Sequence, residues 1–300
     1  MRKRLYTIGV LLCIFVPLII IEHEIVYLLF LVLIMILGYL GGYELMKAFS
    51  LKSPGIEKYR FTFPLFSSLI ILCHYISKYL IYNYLFFIMC SILFTLICML
   101  IVLLDKETTG EDLFRVTGLL FYTGVLFSLV LMLRYNININ VLNENFYRFR
   151  NGLALIYVYS IVVSTDTAAM LIGMSLGKGK KKLCPNISPN KTIIGAISGL
   201  VFGTITGTLF LFFLRNRITL INFELGGLLI WTICGFLLSA ILSIAVQLGD
   251  LLASKIKRAY ELKDFSNILP GHGGVLDRFD SLIFSTAVFY FIMMIGMVVV

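Results

Sequence analysis

Nine predominantly apolar stretches limit what this chain can fold into. They run over 5–21, 25–45, 61–77, 82–104, 114–133, 152–176, 192–214, 226–253 and 281–300. Backbone N–H and C=O groups find no water in hydrocarbon, so runs of about 20 apolar residues cross a bilayer as helices. Composition agrees: 60% of the 300 residues are hydrophobic and 14% are charged, against about a quarter charged in soluble domains. The expected fold class is an all-α polytopic membrane protein with about nine transmembrane helices, forming a single membrane-embedded domain over 1–300. The 226–253 run is longer than a bilayer needs and is expected to tilt or project beyond it. The first run follows Arg2, Lys3 and Arg4 with no small-residue cleavage site after it. It is therefore expected to be a retained signal-anchor.

A net charge of +9 invites a nucleic-acid reading, and the placement of the charges argues against it. With the N-terminus inside, 19 of the 25 Lys and Arg fall in one set of alternate loops and 6 in the other. This asymmetry predicts N-in and C-out for nine spans. The two loops richest in cations, 178–191 and 255–278, then face the cytosol. No disulfide framework or zinc site is suggested, because no CxxC occurs and five of the six cysteines lie inside apolar runs.

The two halves differ. Residues 1–133 carry few ionisable groups within their runs; His74 stands near the outer end of its span and is expected at the interface. The alternation Asn136-Ile137-Asn138-Ile139-Asn140 predicts a short strand in an outer loop. Further on, Asp166 lies inside an apolar run and Asp250 near the end of another, where carboxylates are costly and face a cavity or a partner. Gly195, Gly199, Gly203 and Gly207 recur every four residues, a row that allows close helix packing.

The densest polar segment is Ser254–Asp280, SKIKRAYELKDFSNILPGHGGVLDRFD. Its cations can hold phosphates, its carboxylates can hold Mg²⁺, and its glycines let backbone approach a ligand. The order S-x-I-K-R, K-D-x-S and P-G-H-G-G-V-x-D-R-F-D resembles the signature of the phosphatidate cytidylyltransferases (CDP-diacylglycerol synthases). Ser254, Lys257, Arg258, Lys263, Asp264, Ser266, Pro270, His272, Gly273, Gly274, Asp277, Arg278 and Asp280 fill it. A second motif of that family is matched by Asp166, Ala169, Gly173, Gly177, Ser188, Pro189, Lys191, Thr192 and Gly195. Two positions depart from it, Met170 for an aromatic and Ile194 for an acidic or amide residue; a third departure, Ala253 for a Glu, lies in the family's G-D-L-x-E-S segment, here Gly249–Ser254. The resemblance covers about 150–290, the expected catalytic half.

The resemblance implies transfer of CMP from CTP to phosphatidic acid, giving CDP-diacylglycerol and pyrophosphate, with the active site on the cytosolic side. It implies Mg²⁺, with a second cation left open. Asp250, Asp277, Asp280 and Asp264 are the implied metal ligands. Ser188, Lys191, Thr192, Ser254, Lys257, Arg258, Lys263 and Arg278 are the implied substrate contacts. His272 is expected at the phosphates or the metal shell, with proton transfer as the alternative. The implied partners are CTP, phosphatidic acid or a related lipid phosphate, and membrane lipid, without nucleic acid; a homodimer is left open. In a bacterium the location would be the cytoplasmic membrane. The alternatives are a cytidylyltransferase for another lipid phosphate, a non-catalytic homologue, and an ion-coupled transporter.

Overall fold

The computed structural model describes residues 17–80, 83–135, 137–141, 144–149, 152–177, 179, 181–215, 218–219, 227–268 and 273–299. The run at 5–21 lies mostly outside them, as do Pro270, Gly271 and His272. The helices are α1 (Glu24–Ser50), α2 (Thr62–Ser77), α3 (Asn83–Leu104), α4 (Gly110–Leu119), α5 (Leu126–Arg134), α6 (Leu153–Leu176), α7 (Ile193–Phe213), α8 (Gly227–Ala259) and α9 (Leu276–Val299). A π-helical turn, Leu120–Val125, joins α4 and α5 into one rod. Among the described residues six helical segments are long and apolar enough to cross a membrane: α1, Leu85–Leu104, Gly110–Arg134, α6, α7 and α8. The chain is an all-α polytopic membrane protein. Large side chains such as Leu103, Leu229 and Phe291 stand exposed, as a lipid-facing surface requires.

α2 keeps its expected bounds to within a residue and is one of the shorter apolar helices. α8 runs past its expected end to Ala259, so Lys257 and Arg258 are helical. The segment Ser-Lys-Ile-Lys-Arg-Ala contains good helix formers and no breaker. The chain turns only afterwards, where Glu261 takes a positive φ of 57°.

The chain divides into two compact units, one of residues 1–132 with 256–279, the other of 133–255 with 280–300. In the first, α1 packs on α2, α2 on α3 and α3 on α4. A Cβ on Gly42 would stand 3.0 Å from Pro64 Cβ, so α1 and α2 touch through backbone. α4 begins with a capping box in which Thr109 and Asp112 satisfy one another. The fully buried Asp112 also accepts from Ser53 Oγ at 2.7 Å and Arg115 at 2.5 Å. Lys58 pairs with Asp105 at 2.7 Å and Glu107 at 2.9 Å; its ammonium holds the Asp105 carboxyl below the usual range.

His74 is enclosed by protein. It is 2% exposed, stacked on Phe87 at 3.8 Å, with Nδ1 2.7 Å from Ser128 Oγ. Tertiary cover from α3 and α5, invisible in local hydropathy, encloses it.

The second unit is built on α6 and α7. A hairpin, β1 (Ile137–Val141) and β2 (Glu144–Phe149), realises the expected strand. It pairs antiparallel with β5 (Ile218–Thr219). A second hairpin, β3 (Lys182–Cys184) and β4 (Ser188–Thr192), links α6 to α7 where the sequence suggested only a basic loop. The four glycines of α7 are all buried. A Cβ on Gly203 would stand 2.6 Å from Ser243 Oγ, and one on Gly207 2.6 Å from Ser239 Oγ. These serines share hydrogen bonds with Thr165 and Tyr157, both at 2.9 Å. Small residues and hydroxyls thus join α6, α7 and α8, the packing expected where burial from water supplies no drive.

Overpacking this row should be costly. Gly203→Leu is expected to lower the thermal stability of the purified protein in detergent by about 1–3 kcal/mol or more. Ile197→Ala, on an exposed position of the same helix, should change it little. An unaltered unfolding temperature for Gly203→Leu would contradict the packing described.

Candidate functional site

In the first unit, the turn between α8 and α9 is organised by two carboxylates. Glu44 lies on α1, more than 200 residues away in sequence, and is fully buried. Its Oε1 accepts from Ser266 Oγ at 2.5 Å and from Val275 N at 2.8 Å, and its Oε2 accepts from Leu276 N at 2.9 Å. Leu276 opens α9, so a side chain from another helix occupies its positive N-terminal end and satisfies donors that have no intrahelical partner. Gly274 leaves room for it: a Cβ there would be 2.7 Å from Glu44 Oε1.

Asp277 is the second carboxylate. Its Oδ1 takes Lys257 Nζ at 2.6 Å, and its Oδ2 accepts from Phe265 N at 3.0 Å and Gly274 N at 2.9 Å. The Lys257 and Asp277 side chains are 10% and 7% exposed, so this pair is buried. Arg258 donates to Leu262 O at 2.8 Å, closing the end of α8. Lys263 and Asp264 are exposed, and so is Arg278 on the first turn of α9.

The second unit holds a different cluster. Asp250 on α8 pairs with Lys191 of β4, their side chains 32% and 28% exposed. Ser254 Oγ is 3.4 Å from Asp250 Oδ1. Asp166 on α6 is within electrostatic reach of both Asp250 and Lys191. Thr192 caps α7, its hydroxyl accepting from Gly195 N at 3.1 Å; Ser188 begins β4. Asp280 is buried and accepts from Ser281 N at 2.7 Å. Gly249 packs against backbone here, its absent Cβ 2.9 Å from Asp280 O. His272 lies outside the described residues.

The residues inferred from the sequence therefore fall into two groups. Lys257, Arg258, Lys263, Asp264, Asp277 and Arg278 are in the first unit. Asp250, Ser254, Asp280, Ser188, Lys191 and Thr192 are in the second. Sequence reasoning missed Glu44. Its available signal was a carboxylate near the end of an otherwise apolar run, which also describes a residue reaching for water. Of the three departures, Ala253 is fully buried and Met170 exposed, while Ile194 is half-buried.

The donor set suits a hard cation. Mg²⁺ takes one or two carboxylates and keeps phosphate and water ligands. Among the described residues no three His, Cys, Asp or Glu side chains form a ready cage. Asp250 is half-buried and tied to one exchangeable lysine; Asp277 already has both oxygens engaged, two of the contacts being backbone N–H groups.

Removing one partner of a buried pair typically costs about 3–5 kcal/mol. Asp277→Asn is therefore expected to lower the unfolding temperature in detergent distinctly more than Asp250→Asn. Equal unfolding temperatures would contradict the structural part assigned to Asp277.

A family model described as the cytidylyltransferase family matches residues 2–295. A phosphatidate cytidylyltransferase of Bacillus subtilis is 37% identical over 193 residues, 64% of this chain and 62% of that protein. One of Staphylococcus haemolyticus is 46% identical over 130 residues, 43% of this chain and 45% of its own. One of Rickettsia bellii is 39% identical over 151 residues, 47% of this chain and 58% of its own. The matched regions thus span less than two thirds of these relatives.

Proposed function

We propose, because the chain belongs to the cytidylyltransferase family, that it transfers the cytidylyl group of CTP to phosphatidate. The observation that carries this reading is the signature from Ser254 to Asp280, found in a chain 37% identical to a protein named for that reaction. A phosphatidate oxygen attacks the α-phosphorus of CTP. The bond to the β-phosphate oxygen breaks, and CDP-diacylglycerol and pyrophosphate leave. Both reactants are anions, so the protein's contribution is positioning and charge neutralisation.

Arg258, Lys263 and Arg278 are assigned phosphate contacts, as are Ser188, Lys191 and Thr192, while Lys257 stays with Asp277. The Lys191–Asp250 pair has a direct chemical reading. Without substrate, cation and carboxylate neutralise each other. An arriving phosphate takes the ammonium and leaves the carboxylate available to a metal. Mg²⁺ bound there would supply charge stabilisation for the departing pyrophosphate. Asp250 is the first ligand assigned, with Asp280 of the same unit after it. We further propose N-in, C-out topology, which puts β3 and β4 on the cytosolic side with the nucleotide.

Radiolabelled CTP should enter chloroform-soluble product only with phosphatidate present. Incorporation should be lost in EDTA, regained with Mg²⁺, and reduced at least a hundredfold by Asp250→Asn. A folded, lipid-supplied sample that incorporates no label would end this reading. An isoprenoid phosphate used in preference would move it to another lipid.

The departures have a local test. Ala253 is fully buried, so Ala253→Glu would remove a carboxylate from water and is expected to destabilise the protein. The half-buried Ile194→Glu is expected to be tolerated and to lower the KM for CTP. Topology is tested by labelling introduced cysteines: Lys180→Cys should react from the cytosolic side and Arg215→Cys from the other. The reverse pattern would invert the orientation.

A further inference from the structure

We propose that Lys47, at the end of α1, is a phosphate-binding residue of a recess shared with the α8–α9 turn. This rests on the cytidylyltransferase reading for its substrates, though the recess itself stands on geometry. The recess has a volume of about 410 Å³ and is lined by Lys47 of α1 and Leu51 just after it, together with Lys263, Asp264, Ser266 and Asn267 of the turn. That volume lies within the range of small-molecule sites, about 300–1,000 Å³. Two lysines and one aspartate line it, so its charge favours an anion. Among the described residues neither lysine forms an ion pair.

The walls of the recess are fixed. Glu44 precedes Lys47 by three residues, so the two share one face of α1. The Glu44 carboxylate grips Ser266 and the start of α9. Ser266 is fully engaged, since its oxygen also accepts from Ile268 N at 3.2 Å. Phe265 is held through its N–H by Asp277. The donors left for an anion are therefore Lys47, Lys263 and the Asn267 amide. A lysine acts on a phosphate as a mobile point charge, here set on a helix end that Glu44 locks against the turn. The ligand chemistry is a phosphate oxyanion. Its source is either the triphosphate of the nucleotide or the phosphomonoester of the lipid.

The test separates these sources. KM values for CTP and for phosphatidate are measured separately in mixed micelles for the full chain, Lys47→Gln, Lys47→Glu, Lys47→Arg and the nearby Lys52→Gln. Lys47→Gln is expected to raise one KM about tenfold, with kcat little changed, as loss of a charged contact to both ground and transition state requires. Lys47→Glu should raise it further, and Lys47→Arg should restore most of it. A rise for CTP assigns the recess to the nucleotide; a rise for phosphatidate assigns it to the lipid. Lys52→Gln removes the same charge outside the recess and should leave both KM values in place. The proposal is overturned if Lys47→Glu leaves both within twofold of the parent chain, or if Lys52→Gln matches Lys47→Gln. Were the parent chain to show no CTP-dependent turnover, the functional reading would fail, and the recess would be judged by chemical labelling. Pyrophosphate should protect Lys47, but not Lys52, from amine acylation read by mass spectrometry. Equal labelling with and without pyrophosphate would remove the site.

Discussion

The buried carboxylate of Glu44 ties the polar turn to the helices of the first unit. An isolated carboxylate removed from water is expensive, and it persists only when donors surround it. Here the donors are a hydroxyl and two N–H groups at the opening of α9. Those N–H groups have no partner within their own helix and carry the positive end of its dipole. Two liabilities, a buried anion and a bare helix start, thus cancel. The consequence is geometric: the start of α9, Ser266 and the end of α1 move together. Gly274 is part of the same arrangement, since any side chain there meets the carboxylate.

Asp277 solves a related problem differently. It faces a full cation, Lys257, and also gathers the N–H groups of Phe265 and Gly274. The turn is therefore held from two sides by carboxylates that consume its backbone donors. In the second unit hydroxyl pairs set against glycine at Gly203 and Gly207 join the helices. Asp250 and Lys191 form a half-exposed ion pair there.

Much of this was legible along the chain, because hydropathy and spacing are local. The apolar runs gave helices from α1 to α9, the run at 5–21 lying mostly outside the described residues. The Gly195–Gly207 row gave a packing face, and the Asn/Ile alternation pointed to the strand at Ile137–Val141. The segment from Ser254 to Asp280 gave the family. What escaped depended on partners far away in sequence. Glu44 reads as a helix-end residue until Val275 and Leu276 are placed on it. The enclosure of His74 by Phe87 and Ser128 leaves no mark in local hydropathy. The reach of α8 to Ala259 was hidden because charged residues continue a helix as readily as apolar ones do. The hairpin at Lys182–Thr192 lacks the alternation that marks a half-buried strand.

The two lysine–carboxylate pairs differ in how readily each can give way to a ligand. Freeing Lys257 leaves Asp277 charged, nearly sealed from water, and still bound to two N–H groups; freeing Lys191 leaves Asp250 in contact with solvent. The Coulomb energy of a close pair rises several-fold as the effective dielectric falls from that of water toward about 20. Solvent and salt also weaken the more exposed pair. The Lys191–Asp250 pair is accordingly the one whose exchange for a phosphate and a cation costs less, while Lys257–Asp277 holds the turn in place. The proposed transfer, which brings two anionic phosphates together, would use both properties: charges that can be handed over to the substrate, and charges that keep the backbone still while this happens.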